Sequence, residues 1–249
     1  MSSESPIGVD IGGTGIKVAP VDLAKGALAS DRVRVATPLP ATPAAVAAVV
    51  ASSVASIGGA APVGLTMPSV VVAGIVKTAS NIDPTWIGTD AVALFEQATS
   101  RRVAVINDAD AAGMAEMRYG AGVGHDGVVV LITLGTGIGS ALFLDGELVP
   151  NTELGHLRLH HGDAEDWAAE SVREREDLSW SEWADRLSRY LEELERLFSP
   201  GLFIVGGGVS KKSEKFVPLL KCDTPVKVAE LHNNAGIVGA AMVAPTERP

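Results

Sequence analysis

Two hundred and forty-nine residues, 47% of them hydrophobic, suffice for one large domain or two smaller ones with a buried core, which excludes a disordered chain. A formal charge of −10 excludes general binding to nucleic acid or an anionic membrane, and no apolar run reaches the roughly 20 residues of a spanning helix. The opening residues MSSESP lack a signal-peptide pattern, so a cytoplasmic chain is expected, and the single cysteine, Cys222, allows neither an internal disulfide nor a multi-cysteine zinc site.

In chain order, the alternating run IGVDI from Ile7 enters a glycine turn and leaves as IKVAPV from Ile16, which predicts a hairpin. The Ala/Val-rich stretch Thr42 to Ile57 reads as a helix with a buried face, and VGLTM from Val63 and VVVAGIV from Val70 read as strands. Asp90 to Ser100 reads as a helix, Arg102 to Asp108 as a strand and Ala109 to Gly120 as another helix, so strands and helices alternate. A second apolar run from Val128 enters a glycine turn and leaves at Ser140, and Asp145-Gly146 adds a further tight turn, which predicts an antiparallel meander.

From Asp163 to Leu197 there are twelve acidic and five basic residues, a mostly solvated helical region. Within it Ser179 and Glu182 have capping-box spacing, and Trp183, Leu187, Tyr190, Leu191, Leu194 and Phe198 form an apolar stripe that fits core or a dimer interface. Ser199-Pro200-Gly201 ends that helix, LFIV from Leu202 is a strand, Lys211 to Leu220 reads as helical, and the segment from Asn234 is a small-residue helix.

The tetrapeptide Gly-Thr-Gly-Ile occurs at Gly13 and again at Gly135, about half the chain apart, which suggests two related halves. Together with Gly206, Gly207 and Gly208 these turns make three glycine loops, each after an apolar strand. Without a Cβ, successive amides can face one concavity and cradle phosphate oxygens. A structural turn explains any one loop equally well; three together, two of them related, favour phosphate binding. No Walker pattern occurs, and a Rossmann reading of Gly135-x-Gly137 fails because a strand, not a helix, follows.

Asn107-Asp108 stands at a strand–helix junction, where an aspartate can accept the proton of an attacking hydroxyl and an asparagine can fix neighbouring hydroxyls. The plainer role there, a helix cap, suits Asp110 better. Glu153, His156 and Glu165 suit a polyhydroxylated sugar, although each alone reads as a surface charge; His156-x3-His160 has a spacing found at metal sites, without the partners zinc needs.

In this order and spacing, Asp10-IGGTGIK, Asn107-Asp108, Leu134-GTGIGS, Glu153-LGH and Val205-GGG resemble the ROK sugar kinases of the actin/hexokinase/heat-shock-chaperone superfamily. PNTELGHL from Pro150, the stretch from Arg173 to Leu191, FIVGGGVSKKSEKF from Phe203 and NAGIVGAA from Asn234 are similar to the branch of actinobacterial glucokinases that uses polyphosphate. The resemblance implies an α/β fold of duplicated ribonuclease-H-like domains around a cleft, residues 1–108 and 109–234, with the terminal helix, about 235–249, packing back on the first. It implies phosphoryl transfer from polyphosphate, ATP or both to the 6-hydroxyl of glucose; the alternatives are an ATP-dependent hexokinase acting on glucose, mannose or an amino sugar, or a non-catalytic sugar sensor, and a chaperone-type ATPase would share only the loops.

By the same resemblance Asp108 is the general base, and Asn81, Asn107, Glu153, His156 and Glu165 bind the sugar. Asp10 holds Mg²⁺ through water, and Gly12, Gly13, Thr14, Lys17, Thr136, Gly137, Gly206, Gly207, Gly208, Lys211 and Lys212 contact the donor. The cysteine cluster many members use for zinc is replaced here by Arg158-LHHGDAE, so no zinc is expected; a homodimer is expected, and the entry into a strand at Ile7 disfavours the repressor branch. A polyanionic donor needs a local reversal of charge. Lys211, Lys212, Lys215, Lys221 and Lys227, against Glu214, Asp223 and Glu230, supply one, and Lys211, Lys212 and Lys215 are expected to guide the donor.

Overall fold

The computed structural model describes residues 5–80, 82–159 and 162–245. They form two compact units: one holds the chain through Ala115 and again from Asn234, the other Glu116–Asn233. The division falls inside a helix, not at residue 108. That helix, Asp108–Tyr119, gives its first turns to the first unit, where Ala109, Ala111 and Ala115 are buried. Its Glu116 belongs to the second, accepting hydrogen bonds from the amides of Ala121, Glu230 and Leu231 at 3.0, 3.0 and 2.7 Å.

The first unit begins with β1 (Ile7–Ile11) and β2 (Ile16–Asp22), an antiparallel hairpin with Asp10 opposite Lys17. Two short strands, β3 (Ala27–Leu28) and β4 (Val33–Val35), pair with β2. Helix α1 (Pro43–Ile57) starts where Thr42 accepts from the Ala45 amide and proline occupies the first turn. Strand β5 (Val63–Met67) runs parallel to β1. The run from Val70 splits into β6 (Val71–Val72) and β7 (Ile75–Val76) around Ala73 and Gly74, both at positive φ. Helix α2 (Ala91–Thr99), capped by Asp90, leads into β8 (Val103–Asn107), parallel to β5, and α3 (Asp108–Tyr119) follows at once.

The second unit repeats the scheme. Antiparallel β9 (Val128–Leu134) and β10 (Ile138–Leu144) are joined by the second Gly-Thr-Gly turn, and β11 (Glu147–Val149) turns back at Asp145-Gly146. The two-stranded ribbon β12 (Arg158–Leu159) and β13 (Gly162–Asp163) precedes α4 (Glu165–Ala168), α5 (Glu170–Arg175) and α6 (Trp180–Phe198). Strand β14 (Leu202–Gly206) pairs parallel with β9, and β15 (Val226–Val228) with β14.

The sheet orders β3-β2-β1-β5-β8 and β11-β10-β9-β14-β15 follow one path: a hairpin, an antiparallel edge, then two parallel strands on the other side. The repeated tetrapeptide marks the same hairpin bend in each. The Ser179–Glu182 capping box is present, and Trp183, Leu187, Tyr190, Leu191 and Leu194 of α6 are fully buried against Val130, Ile132 and Phe203. The stripe is therefore core. The segment expected as one helix from Lys211 to Leu220 is instead two 3₁₀ stretches, Gly208–Lys215, kinked at the non-helical Lys212, and Val217–Leu219, separated by the non-helical backbone of Phe216. No helix among the described residues is long and apolar enough to cross a membrane.

Helix α7 (Ala235–Val243) returns to the first unit and lies on β1, β5 and β8 at backbone contact. A Cβ on Gly8 would overlap the Ile237 carbonyl, one on Gly64 the Ala240 carbonyl, and one on Gly239 the Ala111 carbonyl. Side chains this small explain why α7 is buried nearly all round.

Candidate active site

In the first unit the chemistry sits at the carboxyl ends of parallel strands. Asp10 is at the end of β1, Thr66 on β5 and Asn107 at the end of β8, so Asp10 and Asn107 lie two strands, about 10 Å, apart. Asp10 Oδ2 takes the Lys17 ammonium at 2.7 Å and Oδ1 accepts from the Thr66 hydroxyl at 3.2 Å. A Cβ on Gly236, in the first turn of α7, would come within 2.9 Å of this carboxylate. The first glycine turn closes by Gly12 N–H to Gly15 O at 3.1 Å, with Gly13 and Thr14 exposed at its tip.

Asn107 performs the capping that the sequence assigned to Asp110. Its Oδ1 accepts from the amides of Ala109 and Asp110 at 2.9 and 3.0 Å, and its Nδ2 donates to Ser69 O at 3.2 Å. The helix begins one residue earlier than Ala109, which makes Asn107 the N-cap and puts Asp110 in the first turn. Among the described residues the second Nδ2–H of Asn107 has no partner. Asp108, the first helical residue, is half-buried, with Oδ1 accepting from the Ala109 amide at 2.8 Å.

In the second unit His156 gathers three carboxylates: Asp163 at 3.2 Å and Glu165 at 3.6 Å from Nδ1, and Glu153 at 3.9 Å from Nε2. Glu165 Oε2 also accepts from the amide of Ile138, the last residue of the Gly-Thr-Gly-Ile turn, at 3.1 Å. The turn carrying Glu153 and His156 is pressed onto β10. The Ser140 hydroxyl donates to Thr152 O and accepts from Leu154 N, and a Cβ on Gly155 would overlap the Ile138 carbonyl. Burial raises the Glu153 carboxyl above its ordinary range; His156 opposes this and Glu165 adds to it. The folded chain thus holds that proton more tightly than the unfolded one, and the associated stability is present below the ordinary glutamate range and lost as pH rises through the raised value. Glu153→Gln is expected to flatten this loss, which urea unfolding at pH values from about 4 to 7 checks.

The second and third glycine loops meet at the ends of β9 and β14. Gly207, at φ 85°, brings its Cα so close to Leu134 that a Cβ would stand 2.6 Å from the Leu134 amide nitrogen. Ser171 at the start of α5 holds the second loop, its amide donating to Gly135 O at 3.0 Å and its hydroxyl to Thr136 O at 2.6 Å. Thr136, Gly207 and Gly208 remain exposed.

Thus Asp10, Gly12 to Thr14, Lys17, Asn107 and Asp108 share the first unit, and Glu153, His156, Glu165, Thr136, Gly137 and Gly206 to Gly208 share the second. Asn81 and His160 lie outside the described residues. Lys17 is engaged by Asp10. Thr66, Asp163 and Ser171 escaped the sequence reading: none sits in a local motif, and each acts through a contact remote in sequence.

Paired sheets ending in carboxylates and glycine turns define a ribonuclease-H-like fold of the actin/hexokinase type. The chain belongs to the ROK family, whose model matches residues 6–169. It is 51% identical to a polyphosphate glucokinase of Mycobacterium tuberculosis over 94% of this chain and 89% of that protein. Among solved structures, an inorganic polyphosphate/ATP-glucomannokinase from Arthrobacter sp. strain KM is 52% identical, with a TM-score of 0.93, covering 97% of this chain and 98% of that one. A ROK family glucokinase from Streptomyces griseus, in complex with glucose and AMPPNP, is 30% identical with a TM-score of 0.81, covering 96% and 98%.

Proposed function

We propose that this chain is a glucokinase that transfers a phosphoryl group from inorganic polyphosphate to the 6-hydroxyl of glucose, with ATP as a second donor. The Mycobacterium tuberculosis relative supports the principal donor and acceptor. The Arthrobacter structure, whose name includes ATP and a glucomannokinase activity, supports ATP and adds mannose as a second acceptor. The observation that carries the reading is the position of Glu165, whose carboxylate faces His156 on one side and holds the end of a glycine turn on the other. A sugar-binding group and a donor loop are thereby parts of one hydrogen-bonded assembly.

In this reading the glucose 6-hydroxyl gives its proton to Asp108 as its oxygen attacks the terminal phosphoryl group in line. The bond to the donor oxygen breaks, and amides of the glycine loops receive the developing charge. His156, with Nδ1–H directed at Asp163, presents Nε2 as an acceptor, while Glu153 and Glu165 accept from ring hydroxyls. Asn107 offers its remaining N–H. Asp10 fits a hydrated Mg²⁺: with Lys17 and Thr66 already on its oxygens, the lone pairs that remain suit a water of the ion's shell. When bound, that ion supplies neutralisation of charge on the donor phosphates.

Ser171→Ala is expected to raise the donor KM about five-fold, the equivalent of one hydrogen bond to the loop, with the glucose KM little changed, as steady-state kinetics will show. The function itself is tested by incubating the purified protein with glucose and either polyphosphate or ATP and identifying the product by phosphorus NMR. Glucose 6-phosphate from polyphosphate supports the reading; product from ATP alone reduces it to an ATP glucokinase, and none from either overturns it.

A further inference from the structure

Resting on polyphosphate as the donor, a second feature concerns where the phosphates beyond the reacting end go. Three cations of the second unit converge on one indole. Arg173 Cζ lies 4.2 Å from the Trp180 ring centroid, Lys215 Nζ 5.7 Å and Lys212 Nζ 5.9 Å. The ring is anchored: it stacks on Phe216 at 6.2 Å and meets Trp183 edge-on at 5.9 Å, and both of those side chains are fully buried.

Like charges gathered on one ring repel, and the ring's quadrupole offsets only part of that cost. The neighbouring acids pair with Arg173 and, among the described residues, with neither lysine. Glu170 and Glu174 lie 3.7 and 3.5 Å from Arg173, whose Nε is nonetheless buried with no partner among the described residues. Lys212 and Lys215 are exposed and make no ion pair among the described residues, with Glu214 as the one acid between them. The other lysines of this segment are engaged, Lys221 by Asp185 at 2.7 Å and Lys227 by Ala121 O at 3.1 Å.

The cluster also stands beside both donor loops. Arg173 follows Ser171, which holds Gly135 and Thr136, and Lys212 follows Gly208 by four residues. At a rise of about 2.0 Å per residue Lys212 lies roughly 8 Å along the chain from Gly208. A polyanion whose reacting end lies on the loops reaches that distance only past its first few phosphate units.

We propose that Arg173, Lys212 and Lys215, gathered on Trp180, form a distal subsite for the non-reacting phosphates of a long polyphosphate chain and give the enzyme a preference for long donors. Short donors such as tripolyphosphate end before it. The test is initial-rate kinetics with tripolyphosphate and with long-chain polyphosphate, for the parent and for the Lys212→Gln/Lys215→Gln double variant, whose two positions are exposed. The parent is expected to show the lower KM for the long chain. The double variant is expected to raise that KM about five-fold or more while shifting the tripolyphosphate KM less than about two-fold, and to make the long-chain KM less sensitive to salt. Arg173→Gln should act in the same direction; because Arg173 is half-buried, the lysine pair carries the result if that variant folds poorly. An equal change for both donors, or no change, overturns the subsite while leaving the donor reading intact. A parent that phosphorylates glucose from ATP but from no polyphosphate removes the donor reading, and the subsite with it.

Discussion

Replacing Asp108 by asparagine is expected to lower kcat about a thousand-fold or more while leaving the glucose dissociation constant within a few-fold of the parent. The asparagine oxygen can still accept from the Ala109 amide, as Asp108 Oδ1 does at 2.8 Å, so the start of α3 is preserved. What disappears is the ability to take a proton. Because the hydroxyl must lose its proton as the new P–O bond forms, the loss falls on turnover and not on affinity. Coupled assay of glucose 6-phosphate and calorimetry with glucose separate the two quantities. A variant with parental turnover would show that Asp108 is not the base.

Gly64→Ala is expected to be the most destabilising single methyl addition in the first unit. Position 64 is fully buried in β5, and the added carbon would overlap the Ala240 carbonyl, a backbone atom that no side-chain rotation can move. Either α7 lifts from the sheet or β5 shifts, at a cost of about 3 kcal/mol or more, which corresponds to a fall in Tm of roughly 6–12 °C for a chain of this size. Activity should fall as well at permissive temperature, because Gly236 of α7 lies against the Asp10 carboxylate. A Tm within about 2 °C of the parent would contradict this packing.

The features legible in the sequence are those with local causes. The repeated Gly-Thr-Gly-Ile gave the two hairpins because alternation and a glycine bend act within a dozen residues, and Ser179 with Glu182 announced the start of α6 through capping geometry alone. Three features were not legible. The tight seat of α7 on Gly8 and Gly64 joins positions far apart in the chain. Ser171 and Asp163 act by reaching a loop and an imidazole across the fold, with no spacing to betray them. The Gly208–Lys215 segment takes 3₁₀ geometry next to the close approach of Gly207 to Leu134, a contact between residues far apart in the chain. Asn107 shows how a one-residue difference in a helix start transfers a structural duty from one side chain to its neighbour, and with it changes what that side chain can offer a ligand.

In the proposed mechanism Asp108 takes the proton of the glucose 6-hydroxyl. A crystal structure with glucose and a non-reactive donor analogue measures this directly. An Asp108 carboxylate oxygen about 2.6–3.2 Å from the glucose 6-oxygen is the result expected. A bound glucose whose 6-oxygen lies out of reach of Asp108, even through one water, would contradict that role.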